Sequence, residues 1–108
     1  MVLTHSQYAK IFDDSTVFWE KDKDRNVYFI KYMESYFNDL LRLRGYLLLR
    51  DVYEKLGIPI TKESLVVGWI YDENNTIGDN FVELRYEIDD NGYFVIDFNV
   101  DGCIIDRF

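Results

Sequence analysis

The chain reads as an α+β domain in which N-terminal helices pack on an antiparallel β-meander of about four strands. Three observations predict this. Apolar residues recur at three- and four-residue steps between about positions 27 and 44, the period of a helix with one buried face. From Val82 onward they alternate with polar residues, the period of a half-buried strand. Two turn signals, Asp89-Asp90-Asn91-Gly92 and Asp101-Gly102, divide that alternating part into three runs. A length of 108 residues with 48% apolar content suits a single domain spanning 1–108 with a full core.

Taken in order, Thr4 to Phe12 predicts a short helix, with Thr4 and Gln7 as a capping box and Tyr8, Ile11 and Phe12 on one face. Asp13-Asp14-Ser15 stops it. Val17-Phe18-Trp19 is a small apolar patch, and the mixed-sign run Lys21 to Arg25 reads as a solvated connection. The main helix is expected over about 27–44, capped by Asp24 or Asn26 and ended by Gly45 behind Arg42 and Arg44. Ile30, Met33, Phe37, Leu40 and Leu41 form its inner face, while Tyr28, Tyr32 and Tyr36 step by four along one edge. A short helix over about 50–56 closes at Gly57, with the only proline, Pro59, just beyond.

The β-branched and aromatic run 65–71 predicts a first strand, within which Gly68 marks a bulge or a close approach by another backbone. Residues 72–80 are a polar loop. The remaining strands are expected at 82–88, 94–100 and 103–107. A three-residue loop, Asp90-Asn91-Gly92 with Gly92 left-handed, sets Ile88 against Phe94, Tyr86 against Ile96 and Leu84 against Phe98. A type I′ turn at Asp101-Gly102 would set Val100 against Cys103 and Phe98 against Ile105. Phe94, Ile96, Phe98, Val100, Cys103 and Ile105 then share one apolar face. On the other face Asp97 lies between Arg85 and Asp106, which reads as a structural ion cluster.

The charge narrows the function. Twelve basic and 20 acidic residues give a net charge of −8, which opposes direct binding to nucleic-acid phosphates and favours basic protein surfaces. The single cysteine, Cys103, cannot form an internal disulfide, and its inward position predicts a buried thiol in a reducing cytoplasm. No apolar run is long enough for a membrane span, and Met1 to Gln7 lacks a signal-peptide pattern, so a cytoplasmic location is expected.

Catalysis finds little support, because His5 is the only histidine and nothing nearby would activate Cys103. Asp72, Asn74, Thr76 and Glu83 approach the ligand spacing of a calcium loop, but Ile77 stands where glycine is needed. No enzyme activity, metal or cofactor is therefore expected. Two alternatives stay open. In a winged-helix regulator Tyr46 to Ile58 would supply a first helix, Thr61 to Ile70 a second with Lys62 its only base, and Glu83 to Asn99 a wing. In a carboxylate-dependent metal enzyme, Asp97 would be the acid to test.

Four motifs carry a resemblance over about Tyr46 to Phe108: Gly57-Ile58-Pro59, Val66-Val67-Gly68-Trp69-Ile70-Tyr71, Gly78-Asp79-Asn80-Phe81-Val82 and Asp97-Phe98-Asn99-Val100-Asp101-Gly102. In these the chain resembles small uncharacterised proteins carried by prophages and integrative elements of Gram-positive bacteria. That resemblance brings no catalytic residues. It implies a mobile-element setting, in which small acidic proteins inhibit host defence. The expected function is thus an anti-CRISPR-like or DNA-mimic-like inhibitor that binds a basic surface of a host nucleic-acid-handling protein, a CRISPR effector being one case. It would contact neither nucleic acid nor membrane directly. Its expected binding residues are Asp72, Glu73, Asp79, Glu83, Glu87, Asp89 and Asp90, with Tyr28, Tyr32 and Tyr36 as aromatic anchors.

Overall fold

A computed structural model describes residues 6–72, 74 and 78–105. Among these described residues the chain is α+β, with two α-helices and two small antiparallel sheets of three strands each. The strands are β1 (Lys10–Phe12), β2 (Tyr46–Leu48), β3 (Val67–Ile70), β4 (Leu84–Ile88), β5 (Phe94–Phe98) and β6 (Gly102–Cys103). The helices are α1 (Lys23–Arg44) and α2 (Leu49–Leu56), and a 3-10 turn covers Glu63–Leu65. One sheet has the order β1-β5-β4 and the other β2-β3-β6, so the expected single meander is replaced by two sheets, each drawing strands from both halves of the chain.

The first hairpin forms in the expected register. Leu84 lies opposite Phe98, Tyr86 opposite Ile96 and Ile88 opposite Phe94. Gly92 closes the loop at φ +82°, and Asp89 N–H donates to the Tyr93 carbonyl at 2.9 Å. The second turn does not form. A type I′ turn needs positive φ at both central residues, and among the described residues Asn80 is the only non-glycine with one. Asp101 instead reaches the other sheet: its backbone N–H donates to the Gly68 carbonyl at 2.7 Å and its Oδ2 accepts from Ile70 N–H at 2.9 Å. The chain therefore leaves β5 after Phe98 and pairs with β3, Val67 opposite Cys103 and Gly68 opposite Gly102.

That crossing inverts the expected parity. Ile104 is buried, whereas Cys103 and Ile105 are exposed, so the thiol is not a core group. The remainder of the expected strand 103–107, including Asp106, falls beyond the described residues.

The open side of β5 is taken by β1. Lys10 to Phe12, expected as the end of a helix, pairs with Phe94 to Ile96, and the preceding Ser6 to Ala9 is a turn. Strand geometry points Phe12 inward to full burial and Ile11 outward, which a helix would have placed together. Non-local pairing to an otherwise bare strand edge has overridden a weak local preference. No helix among the described residues is long and apolar enough to cross a membrane.

Helix α1 begins four residues earlier than expected. Asp22 is its N-cap, in extended backbone, accepting from Asp24 N–H at 3.0 Å and Arg25 N–H at 3.2 Å. Gly45, left-handed at φ +83°, ends it as expected. Helix α2 ends in paired bonds from Gly57 N–H to the Glu54 carbonyl and from Ile58 N–H to the Tyr53 carbonyl, with Pro59 following. At Gly68 the expected close approach is present: a Cβ there would stand 2.0 Å from the Leu47 carbonyl oxygen. Thr61 to Ile70, the second helix of the winged-helix alternative, is instead the 3-10 turn followed by β3. One core cluster, including Ile30, Phe37, Leu41, Tyr53, Trp69, Phe94 and Phe98, joins both helices to both sheets.

Candidate functional site

The link between β1 and α1 builds an open groove against the start of the helix. Phe18 stacks on Phe29 with ring centroids 5.3 Å apart, and Phe29 stacks on buried Phe12 at 5.8 Å. This aromatic column fixes the link to the core. Trp19 donates from Nε1 to the Gly92 carbonyl at 3.0 Å and packs on Tyr93, tying the link to the β4–β5 turn. Buried Asn26 then clamps Glu20 from both sides: its Oδ1 accepts from Glu20 N–H at 2.9 Å, and its Nδ2 donates to the Glu20 carbonyl at 2.7 Å.

The result is a groove of about 650 Å³ lined by Glu20, Asp22, Asp24, Arg25, Tyr28, Phe29 and Tyr32. Tyr28 and Tyr32 are 75% and 63% exposed, one helical turn apart, which leaves both phenol rings available to a ligand. Among the described residues Arg25 is the one cation in the lining, with Nη1 3.6 Å from Glu20 and Nε 3.7 Å from Asp22. Three carboxylates against one guanidinium leave the lining with a net charge of −2. Chemically, exposed tyrosine faces within a negative rim suit a cation, through the ring quadrupole and direct charge attraction.

Only two of the residues singled out in the sequence, Tyr28 and Tyr32, lie in this groove. Tyr36 is half-buried, packed against the core beside Phe37. Asp89 and Asp90 sit at the hairpin tip, where Asp89 Oδ1 accepts from Asn91 N–H at 2.8 Å and Tyr93 N–H at 3.0 Å. Asp14 and Asp89 lie close enough to push the Tyr93 hydroxyl up, Asp14 most strongly. Asp72 and Asp79 belong to a separate loop, Asp72 accepting from Asn74 N–H and Asp79 from Asn99 Nδ2. Glu83 pairs with Arg85 at 3.3 Å, and Glu87 is on β4. Glu73 lies outside the described residues, as do Thr76 and Ile77 of the considered calcium spacing.

Three more lining residues, Asp22, Asp24 and Arg25, fall in the mixed-sign run Lys21 to Arg25 that reads as a solvated connection, with Glu20 just before it and Phe29 on the helix. The missed signal is Asp22 as cap. Starting α1 there puts Arg25, Tyr28 and Tyr32 at i, i+3 and i+7 of one face and brings Asp24 one turn before Tyr28.

Asp97, the acid considered for catalysis, is occupied structurally. Its Oδ2 accepts from Ser6 N–H at 2.8 Å, and its Oδ1 accepts from Ser6 Oγ and from Phe98 N–H. Burial pushes this carboxyl up, but those bonds, with the Arg85 charge, outweigh burial and hold it below the usual carboxylate value. Nearby, Tyr53 donates to the Tyr8 carbonyl at 2.7 Å, and burial followed by the Asp97 charge drives its hydroxyl pKa well upward. Ser6 thus straps the approach to β1 onto the sheet, and Tyr8 straps it to α2. No group of three or more His, Cys, Asp or Glu side chains able to hold a metal occurs among the described residues.

The chain belongs to DUF6353, a family of unknown function, which matches residues 1–107. The match includes the first 45 residues, which the mobile-element resemblance did not reach. No curated protein and no solved structure matches the chain.

Proposed function

We propose that this member of DUF6353 is an acidic interaction protein that docks on a basic protein surface through the groove at the start of α1. One observation carries the reading: the two most exposed tyrosines of α1 share a groove with three carboxylates. Aromatic anchors ringed by charge are what a protein–protein contact concentrates its binding energy in. The overall charge of −8 adds long-range attraction to a basic partner and repels nucleic acid. The hairpin-tip acids extend the negative surface, because Trp19 joins that tip to Glu20.

The finer reading follows the mobile-element resemblance. The partner is a host protein that handles nucleic acid in defence, such as a CRISPR effector, and docking inhibits it by occupying the surface meant for phosphates. The protein acts in the cytoplasm, without catalysis.

Affinity capture from nuclease-treated bacterial lysate tests this. Basic proteins should be retained by the wild type, released by moderate salt, and lost with the Tyr28→Ser/Tyr32→Ser double variant. Equal retention by the double variant, or capture indifferent to salt, would overturn it.

A further inference from the structure

We infer that the groove is selective for an arginine side chain of the partner and that Arg25 is a built-in placeholder for it. The inference rests on the docking function proposed above and specifies what enters the groove. The placeholder reading starts from how loosely Arg25 is held. Its contacts to Glu20 and Asp22, 3.6 and 3.7 Å, exceed the roughly 2.7–3.2 Å of a direct hydrogen bond. Its side chain is 70% exposed and those of the two acids are 57% and 50% exposed, so solvent screens both pairs. A guanidinium arriving on a partner can approach the same carboxylates more closely, in the bidentate geometry that its planar fork allows.

Arginine is favoured over lysine by the tyrosines. A guanidinium is planar, weakly hydrated and stacks on an aromatic face, whereas an ammonium is a compact, strongly hydrated point charge. Among the described residues the fold itself sets this combination at Arg44, whose guanidinium lies 4.7 Å from the Tyr46 ring centroid with an Asp51 carboxylate at 3.7 Å, whereas the Lys10 ammonium stands farther from its ring, 6.0 Å from the Tyr53 centroid. Tyr28 and Tyr32 beside Glu20, Asp22 and Asp24 repeat those three elements with the rings turned to solvent. Charge balance agrees. With Asp22 engaged as the N-cap of α1, Glu20 and Asp24 still exceed Arg25 by one negative charge, which a second cation can take.

Fluorescence anisotropy with labelled tetra-arginine and tetra-lysine peptides, on the full chain at low salt, tests the inference. The wild type should bind the arginine peptide tighter by about threefold or more, the scale of one exposed cation–π contact. Arg25→Ala should tighten arginine binding by a similar factor, because the carboxylates lose their internal partner. Tyr28→Ser/Tyr32→Ser should bring the arginine and lysine affinities together. All three positions are exposed, and unchanged circular dichroism and melting of each variant serve as the folding control.

Equal affinity of the wild type for both peptides, with no effect of the tyrosines, overturns arginine selectivity while leaving electrostatic docking standing. Weaker arginine binding by Arg25→Ala overturns the placeholder. Failure of both peptides to bind removes the docking function together with this inference.

Discussion

Replacing Asp97 with asparagine tests what holds the start of the chain to the sheet. Asp97 offers two acceptor oxygens, Oδ2 to Ser6 N–H and Oδ1 to Ser6 Oγ and Phe98 N–H. Asparagine offers one oxygen and one NH2, so in either orientation a backbone N–H is left facing a donor. The Ser6 hydroxyl can rotate to accept, but the amide cannot. Leaving one such donor unsatisfied costs about 1–3 kcal/mol, and the loss of charge-assisted bonds argues for the middle of that range or above. Against a total of about 5–15 kcal/mol for a domain of this size, about 2 kcal/mol is readily measured. With an m-value of about 2 kcal/mol/M, the urea midpoint should fall by about 1 M.

Acid supplies an independent check. The folded-state pKa of Asp97 lies below its ordinary 3.8, so its stabilisation is complete above that value and is lost as pH falls through the lower, folded one. Wild type and Asp97→Asn should therefore differ at neutral pH and converge as acid protonates Asp97. Hydrogen exchange should also quicken at the β1 amides that bond to β5, on the strand that this carboxylate anchors. Equal urea midpoints at pH 7, or a difference that acid leaves intact, would refute the anchoring role.

Gly68→Ala should destabilise severely, because its Cβ would lie 2.0 Å from the Leu47 carbonyl oxygen and 2.9 Å from Leu48 Cα, both backbone atoms. At about 3 kcal/mol for such overpacking and about 4 °C per kcal/mol, thermal melting should drop by about 12 °C or more; a change under about 2 °C would show that β2 shifts freely. Asp22→Ala removes the cap of α1 and should cost about 1 kcal/mol, read as a shift in chemical denaturation together with lost helical signal at the N-terminal turn. The hairpin tip separates charge from architecture. Asp89→Ala should lower melting, since it strips the acceptor from Asn91 N–H and Tyr93 N–H, whereas exposed Asp90→Lys should leave melting unchanged and weaken cationic-peptide binding.

Elements whose signals are local were legible in the sequence. The α1 period, the αL glycines Gly45 and Gly57, and the loop ending at Gly92 each depend on residues within a few positions of one another. Even register followed, because parity about Gly92 admits one apolar pairing of β4 with β5. What failed depends on distant partners. Asp101-Gly102 has the composition of a hairpin turn, but the Ile70 N–H and the Gly68 carbonyl recruit Asp101 to the other sheet. Lys10 to Phe12 has a helical spacing, but the vacant edge of β5 and the Asp97–Ser6 bonds draw it into a strand. The groove was half legible. Tyr28 and Tyr32 stand out by their spacing, while Asp22 and Asp24 beside them are concealed by a cap of α1 placed two residues or more too late, and Glu20 carries no local signal.

The acid content has an origin that composition cannot reveal. At least seven carboxylates accept from backbone N–H groups: Asp13 from Ser15, Asp22 from Asp24 and Arg25, Glu34 from Leu84, Asp72 from Asn74, Asp89 from Asn91 and Tyr93, Asp97 from Ser6 and Phe98, and Asp101 from Ile70. Backbone amides at turns, helix starts and a strand edge need acceptors, and this chain supplies them with carboxylates. Net charge therefore overstates the surface available for a partner, since part of it is the way the fold satisfies its own donors. A binding function must rest on acids placed where no such duty accounts for their company. Glu20 and Asp24 stand outside that set, and they border Tyr28 and Tyr32, whose exposure the core does not require. The case for a cationic partner is thus a local one, made by a groove of seven residues, and it would hold for a chain of neutral overall charge with the same groove.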